Sequence, residues 1–270
     1  MNEILLDTSP SALITAIEDN TFDFVHSMSK WPQAEVYDGD DIKWSITRIP
    51  YPVFNSVFRA RLAAHQVDAT IQTVIERARA RNVPVLWWTG PQTQPSDLGM
   101  HLVTKGFAHS DDEPGMAANL MRLNEGWPVP PGLSIQRVGD AETLREWCQA
   151  CSKVFGMADF VADAFFDFIN HVGFGTSIPY LGLLEGKPVA TSLVVLAGGV
   201  AGIYNVGTVP EARRKGIGTW MTLTPLRDAR AKGYRVGVLQ ASEMGASVYR
   251  RLGFQDYCQI GHYLWSPAPG

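Results

Sequence analysis

The chain has 270 residues, a length that fits two domains of roughly 130 residues each. Hydrophobic residues make up 46% of it and charged residues 19%, so it can bury the core of an ordinary globular protein. The formal net charge is −4, without the basic excess with which nucleic-acid binders neutralise phosphates. We therefore expect no nucleic-acid partner.

The sequence also shows no pattern typical of a membrane span, an export signal or a metal site. No run approaches the ~18 consecutive apolar residues of a membrane span, and the first residues carry acids where a signal peptide would carry Lys or Arg. Three cysteines are too few for a disulfide framework, and the six histidines have no metal-ligand spacing. We expect a cytoplasmic protein with no membrane partner and no metal, and the oligomeric state stays open.

Hydrophobic periodicity and turn residues divide the first half into helices and strands. The predicted helices are Ser11–Met28, Asp68–Ala80 and Ser96–Lys105, and the predicted strands are Asp41–Arg48, Asn55–Arg61, Val83–Thr89 and Met116–Leu123. The acidic run Asp111–Glu113 is interpreted as a solvated loop. Residues 124–132 then hold three prolines and two glycines, which interrupt any regular element and predict a domain boundary.

The second half predicts a meander of antiparallel strands followed by a β-α-β unit. The predicted strands are Leu133–Val138, Tyr180–Glu185, Pro188–Ala197, Val200–Gly207, Arg235–Leu239 and Phe254–Trp265, and the helices are Ala141–Phe155, Ala158–Val172, Gly216–Lys232 and Glu243–Leu252. Cys148 and Cys151 lie one turn apart in the first of these helices, where helix packing explains them better than metal or redox chemistry.

One segment between a predicted strand and a predicted helix has the composition of an anion-binding loop. Residues 208–219 read TVPEARRKGIGT, in which three basic residues precede Gly216 and Gly218. A loop entering a helix presents free backbone N–H groups and the positive end of the helix dipole, and glycines keep no side chain in the way of an anion. The predicted ligand is a phosphate or pyrophosphate. For this loop alone, an ordinary helix start with exposed basic residues is the alternative.

A second motif, over residues 242–254, follows the next strand, and the two together resemble the GNAT acetyltransferase family. The family's Arg/Gln-x-x-Gly-x-Gly/Ala motif matches Arg213–Gly218. Its Asn-x-x-Ala-x-x-x-Tyr-x-x-x-Gly-Phe pattern matches at Tyr249, Gly253 and Phe254, whereas Ser242 and Gly245 replace the usual Asn and Ala. The resemblance covers about residues 133–265.

The resemblance implies a site for acetyl-CoA as cosubstrate. Backbone amides of the loop should hold the CoA pyrophosphate, and the end of the preceding strand should pair with the pantetheine amides as an added strand would. The residues implied in cofactor binding are Val206, Gly207, Thr208, Arg213, Arg214, Lys215, Gly216, Ile217, Gly218, Thr219 and Ser242.

The resemblance also implies that Tyr249 is the general acid that protonates the departing thiolate. A phenol with a pKa of ~10 can donate a proton to a thiolate of similar basicity; a packed aromatic residue is the alternative interpretation. The amine attacks the thioester directly, so no protein nucleophile is needed. The base is not identified, and five residues are conceivable: Glu185, Tyr204, Asn205, Glu243 and His262.

The first half repeats the order strand, helix, Gly-Phe, strand, so we expect a mixed α/β (α+β) fold of two GNAT-like domains. Each would be a mixed, mostly antiparallel sheet flanked by helices, with residues 1–125 as a degenerate domain and 126–270 as the catalytic domain. Residues 59–71 contain no glycine, and Leu102 takes the place of Tyr249. We therefore expect the first half not to bind CoA. In this layout the chain resembles mycothiol synthase-like tandem acetyltransferases.

These features predict an acetyl-CoA-dependent N-acetyltransferase that acts on the amine of a small molecule. Two alternatives stay open from the sequence: a non-catalytic protein that senses acyl-CoA, and an enzyme that acetylates proteins. The identity of the amine and the preferred acyl chain are not predicted.

Overall fold

The computed structural model describes residues 3–268, which form seven α-helices and eleven β-strands. These residues divide into two compact units. The C-terminal unit comprises residues 3–21 and 115–257, and the N-terminal unit comprises residues 22–114 and 258–268. Each unit thus contains residues from both halves of the sequence. No described helix has both the length and the apolar character needed to cross a membrane.

The C-terminal unit is built on strands β5 to β10. Its elements are β5 (Ala108–Asn119, of which residues 115–119 belong here), β6 (Leu133–Arg137), α4 (Ala141–Phe155), α5 (Asp159–Val172), β7 (Ser177–Leu184), β8 (Lys187–Ala197), β9 (Val200–Thr208), α6 (Ile217–Ala231), β10 (Val236–Gln240) and α7 (Glu243–Leu252). The strand order is β6-β7-β8-β9-β10-β5, antiparallel except for the parallel pair β9 and β10. Buried residues of α6, including Met221, Leu223 and Leu226, share one core cluster with residues of these strands.

The N-terminal unit has its own core. Its elements are β1 (Glu35–Asp38), β2 (Lys43–Ile46), β3 (Ser56–Phe58), α2 (Val67–Arg81), β4 (Val85–Thr89), α3 (Leu98–Thr104) and most of β11 (Gln255–Trp265). The strand order is β1-β2-β3-β4-β11, and only β3 and β4 run parallel. Trp87 and Leu102 are fully buried in this core. Leu102, the residue aligned with Tyr249, is therefore a core residue here.

The predicted mixed α/β fold with mostly antiparallel strands and flanking helices is confirmed. Two details differ from the sequence-based expectation. Strand β1 was not predicted, and Asp111–Glu113, interpreted as a loop, lie within β5. Both segments are rich in acidic residues and poor in apolar ones, so hydrophobic periodicity does not mark them as strands.

The predicted boundary at residues 125 and 126 lies inside the C-terminal unit. Residues 115–119 of β5 pair with β10 over five positions, and residues 3–21 also belong to this unit. The proline-rich segment is fixed to α6, since Glu125 accepts hydrogen bonds from Arg227 and Arg230 at 2.8 and 2.5 Å. The chain therefore contributes a strand and a helical segment from the first half to the C-terminal unit, and the degenerate-domain assignment for residues 1–125 stays a prediction.

Helix α1 (Pro10–Met28) is attached to the C-terminal unit by Asn20, which is 1% exposed. Its side-chain amide donates to the carbonyls of Val195 and Ala197 at 3.2 and 2.9 Å. Its carbonyl oxygen accepts from the Tyr204 hydroxyl at 2.8 Å. A Cβ at Gly202 would collide with the Asn20 side chain, so glycine at that position allows the helix to approach β9.

Replacing Asn20 with alanine should lower the free energy of unfolding by about 2–4 kcal/mol, because buried groups on two elements lose their partners. The control is Asn124→Ala, since Asn124 donates to the Arg251 carbonyl at 3.1 Å in an exposed position. That change should cost less than about 1 kcal/mol. Urea unfolding of the full chain measures both values, and equal losses would contradict the anchoring role of Asn20.

Candidate active site

A cleft of about 850 Å³ opens in the C-terminal unit between the end of β9, the loop before α6 and the first turns of α7. Every predicted site residue except Lys215 lines it. Lys215 is exposed and lies outside. The cleft therefore brings together a strand end, a helix start and a tyrosine that lie up to 43 residues apart in the sequence, from Val206 to Tyr249.

The cleft exists because β9 separates from β10. The register of the two strands covers only Gly237 with Ala201 and Val238 with Gly202. Beyond that point, within the described residues, the edge of residues 203–208 that would face β10 has no strand partner. Unpaired backbone groups of a strand edge are the groups with which an extended ligand can form an added strand.

A bulge in β9 accompanies this separation. The register of β8 and β9 shifts between Thr191 and Leu193, and Asn205 has a left-handed φ of 50°. The hydroxyl of Thr191, fully buried, donates to the Asn205 carbonyl at 2.9 Å. Since a bulge bends its strand and increases the local twist, it turns the end of β9 away from the direction of β10.

The end of α4 forms one wall of the cleft. A Cβ at Gly207 would collide with the Val154 side chain, so the glycine allows α4 to pack on the end of β9. Phe155 at the helix end is 48% exposed and lines the cleft, as does Met244, 74% exposed at the start of α7. Sequence reasoning missed Val154 and Phe155 as cleft residues, because only the folded chain brings α4 to the motif loop.

The loop before α6 has the backbone of an anion site. Arg214 and Gly216 have left-handed φ values of 61° and 79°, and Gly216 is the N-cap residue of α6. No side chain caps this helix, so its first N–H groups, at Ile217, Gly218 and Thr219, stay available to a ligand. The guanidinium of Arg213 donates through Nε to the Thr208 carbonyl at 3.0 Å and ties the loop to β9.

Tyr249 is half-buried at the cleft and packs edge to face against Phe254, with ring centroids 6.0 Å apart. Gly245 lies one helical turn earlier, and a Cβ there would approach the Tyr249 ring to 2.9 Å. Glycine in place of the usual alanine thus allows the ring to lie over the first turn of α7. The Ser242 hydroxyl accepts from the Gly245 N–H at 3.3 Å and caps α7, so that oxygen already has a partner.

The candidate bases do not line the cleft in the described structure: Glu185, Tyr204, Asn205, Glu243 and His262. Glu185 lies in the turn between β7 and β8 with a φ of 51°, and the Tyr204 hydroxyl donates to Asn20. Arg251, which the motif did not predict, does line the cleft and adds a positive charge near its wall. The structure therefore offers cationic and phenolic groups in the cleft, and none of the five candidate bases lines it.

The two helical cysteines form no reactive site. Burial raises the pKa of the Cys148 and Cys151 thiols to about 12, so both are thiols at neutral pH. Among residues 3–268, no cluster of three or more His, Cys, Asp or Glu side chains is arranged to hold a metal ion.

Comparison with known proteins relates the cleft to one family. Residues 197–256 match the sequence profile of the acetyltransferase (GNAT) domain family. That segment runs from the end of β8 to the start of β11 and includes the bulge, the loop and Tyr249. This segment of the chain is similar to a GNAT acetyltransferase domain. Acetyl transfer from acetyl-CoA is the activity of this family, so the predicted acyltransferase class is confirmed. No protein of curated function matches the chain in sequence.

Solved structures extend the likeness to GNAT proteins beyond that segment. A GCN5-related N-acetyltransferase from Kribbella flavida matches with a TM-score of 0.69 at 18% identity, covering 94% of this chain and 96% of its own. One from Sphaerobacter thermophilus matches with 0.63 at 17% identity, covering 97% and 95%. A tandem GNAT protein from the clavulanic acid biosynthesis pathway matches with 0.59 at 14% identity, covering 98% and 97%. At these identities the likeness shows the fold, and the narrower resemblance to mycothiol synthase stays a prediction.

Gly218 provides the cleanest test of the loop before α6. A Cβ there meets nothing within 4 Å, whereas any side chain at Gly216 is strained by its φ of 79°. Gly218→Leu should fill the cleft beside the helix start and lower acetyl-CoA affinity about a hundredfold, roughly 2.7 kcal/mol. Calorimetric titration measures this, with Gly218→Ala as the control that keeps near-normal affinity.

Both variants should unfold at or above the wild-type temperature, because replacing a helical glycine removes freedom from the unfolded chain. Unchanged acetyl-CoA affinity in a folded Gly218→Leu protein would contradict the assignment of the loop.

Proposed function

We propose that the protein is an acetyl-CoA-dependent N-acetyltransferase that acetylates the amine of a small molecule. The observation that carries the proposal is the meeting of three features in one cleft: the uncapped start of α6, the unpaired end of β9 and Tyr249. Each feature matches a different part of acetyl-CoA. These parts are the pyrophosphate, the pantetheine arm and the thioester.

The pyrophosphate would lie at the start of α6. The N–H groups of residues 217–219 and the positive end of the helix dipole favour an anion, and the left-handed turns at Arg214 and Gly216 direct the loop backbone toward it. Gly218 leaves the approach open, since no atom lies within 4 Å of a Cβ at that position. Arg213, Arg214 and Arg251 add positive charge around the same cleft.

The pantetheine arm would extend along β9. Its amides can pair with the free backbone groups of Val206, Gly207 and Thr208, as an added strand does. The apolar side chains of Val154 and Val248 line the same cleft and would contact its methylene and methyl groups. This contact needs no particular hydrogen-bonding side chain, which agrees with Ser242 standing in place of the usual asparagine and capping α7 instead.

The thioester would then reach Tyr249. The amine nitrogen attacks the carbonyl carbon, the C–S bond breaks, and the CoA thiolate takes the phenolic proton of Tyr249. The proton that the amine nitrogen loses passes to water or to a base, and the phenolate is reprotonated from solvent. A cysteine or serine nucleophile is not required in this scheme, and both thiols of the CxxC are buried.

The N-terminal unit would not bind a second CoA. The helix of that unit corresponding to α6 is α2, and its first turn carries Asp68. This carboxylate is paired with His101 and Lys105 at 3.3 and 3.4 Å, and the hydrogen bond from His101 is the main cause that lowers its pKa. A carboxylate at a helix start takes the position that a phosphate would need and repels it.

The presence of a phenol in the cleft favours an enzyme over a sensor of acyl-CoA, because binding alone needs no proton donor. We propose a small molecule rather than a protein as the acceptor, because the chain resembles tandem GNAT acetyltransferases, the resemblance that also implies the mechanism. We also propose a cytoplasmic location, where buried thiols such as those of Cys148 and Cys151 stay reduced.

Replacing Tyr249 with phenylalanine should lower kcat about 10²-fold, the usual contribution of one proton donor, while acetyl-CoA affinity stays within about twofold. The ring and its contact with Phe254 are kept in this variant. Release of free thiol from acetyl-CoA in the presence of an amine panel measures kcat. The control is Tyr257→Phe, which removes a hydroxyl that donates to the Gln255 side chain at 3.3 Å in an exposed position. Full activity of Tyr249→Phe would show that the phenol serves packing alone.

A further inference from the structure

A row of side chains crosses one face of the N-terminal unit, outside the cleft. Phe58 of β3 stacks on Trp88 of β4 with ring centroids 5.5 Å apart, and Trp88 meets His262 of β11 edge to face at 4.2 Å. The Nδ1 atom of His262 lies 2.7 Å from a carboxylate oxygen of Asp111 in β5. Trp87 and Tyr263, the sequence neighbours of Trp88 and His262, belong to the core on the opposite face. We call Trp88, Asp111, Glu113 and His262 the acid–histidine cluster.

His262 is held in one orientation with half of its hydrogen-bonding capacity unused. Because a carboxylate can only accept, the hydrogen of the neutral ring lies on Nδ1 and is donated to Asp111. The other ring nitrogen, Nε2, is then an acceptor. The side chain is 8% exposed, and within the described structure Nε2 is buried with no hydrogen-bond partner. Buried polar atoms without a partner are rare, and each one suggests a group that is absent from the chain itself.

Glu113 adds a second carboxylate to the same face. Side chains alternate along a strand, so Asp111 and Glu113 point to the face of His262 and Asp112 points to the other. Asp112 is paired with His109 at 3.0 Å. Burial is the main cause that raises the pKa of Glu113; smaller electrostatic effects of His262, which lowers it, and of Asp111, which raises it, place this carboxyl near both side chains.

The cluster has acceptors but no cation. In residues 3–268 neither Asp111 nor Glu113 forms an ion pair with a lysine or arginine. The Glu113 carboxylate and the Nε2 lone pair are acceptors for the N–H groups of an ammonium ion, and the Asp111 carboxylate adds negative charge beside them. The indole N–H of Trp88 is also buried without a partner, and a hydroxyl oxygen next to the ammonium would satisfy it.

We propose that the acid–histidine cluster binds the ammonium group of a small amine that carries a neighbouring hydroxyl group. Glu113 accepts from the ammonium, His262 accepts through Nε2, Asp111 holds the ring through Nδ1, and the Trp88 indole N–H donates to the hydroxyl. This binding needs the N-terminal unit alone and no acetyl-CoA. It therefore holds or fails separately from the proposed acetyl transfer.

The test is calorimetric titration of the full chain, without acetyl-CoA, using two matched probes. Phenylglycinol carries an ammonium and a hydroxyl on neighbouring carbons, and styrene glycol has a hydroxyl in place of the amine. Glu113→Gln keeps the shape of the side chain and removes its charge. Asp112→Asn removes a charge one residue away on the opposite face.

Wild-type protein should bind phenylglycinol more tightly than styrene glycol. Glu113→Gln should weaken phenylglycinol about tenfold and leave styrene glycol unchanged, whereas Asp112→Asn should change neither by more than about twofold. Absence of phenylglycinol binding, equal affinity for the two probes, or equal losses in the two variants would overturn the proposal. Circular dichroism of both variants shows that the fold is retained.

Discussion

The separation of β9 from β10 is the constraint on which the site depends. The two strands run parallel and pair at their starts, and then the bulge at Asn205, held by the buried hydroxyl of Thr191, turns β9 aside. The strand end then offers unpaired backbone groups, and the chain returns to the sheet through a loop whose left-handed residues lead into an uncapped helix. The bulge, the loop and α7 therefore surround one cleft, although no single one of them would form a binding site.

The C-terminal unit is completed by chain from the first half of the sequence. Strand β5 pairs with β10. Helix α1 provides Asn20, whose side-chain amide donates to two carbonyls of β8 and whose side-chain oxygen accepts from Tyr204 on β9. Gln240 at the end of β10 donates to Thr21 on the same helix at 2.9 Å. Helix α1 thus bridges the two strands at the point where they stop pairing, so a cut at the proline-rich segment would remove part of the fold.

The sequence was sufficient to predict the elements that depend on residues close together in the chain. The loop before α6 and the motif in α7 were predicted because glycines, basic residues and a tyrosine occur at fixed spacing, and the structure places all of them but Lys215 at one cleft. The start of β5 was missed because His109–Glu113 carry no apolar alternation. Phe155 was missed at the cleft because its position depends on packing between distant elements. The division into units depends on the pairing of β5 with β10, which leaves no mark in the linker, so the domain assignment at residues 125 and 126 stays a prediction.

Amide hydrogen exchange of the full chain, with and without acetyl-CoA, tests the central claim most directly, because it reports on the backbone groups that are proposed to hold the cosubstrate. Residues 206–208 and 217–219 should become protected when acetyl-CoA is added, since both segments present backbone groups that have no partner within residues 3–268. The start of α2 in the N-terminal unit should not change, because Asp68 lies there. Protection at α2 and none at β9 and α6 would contradict the account.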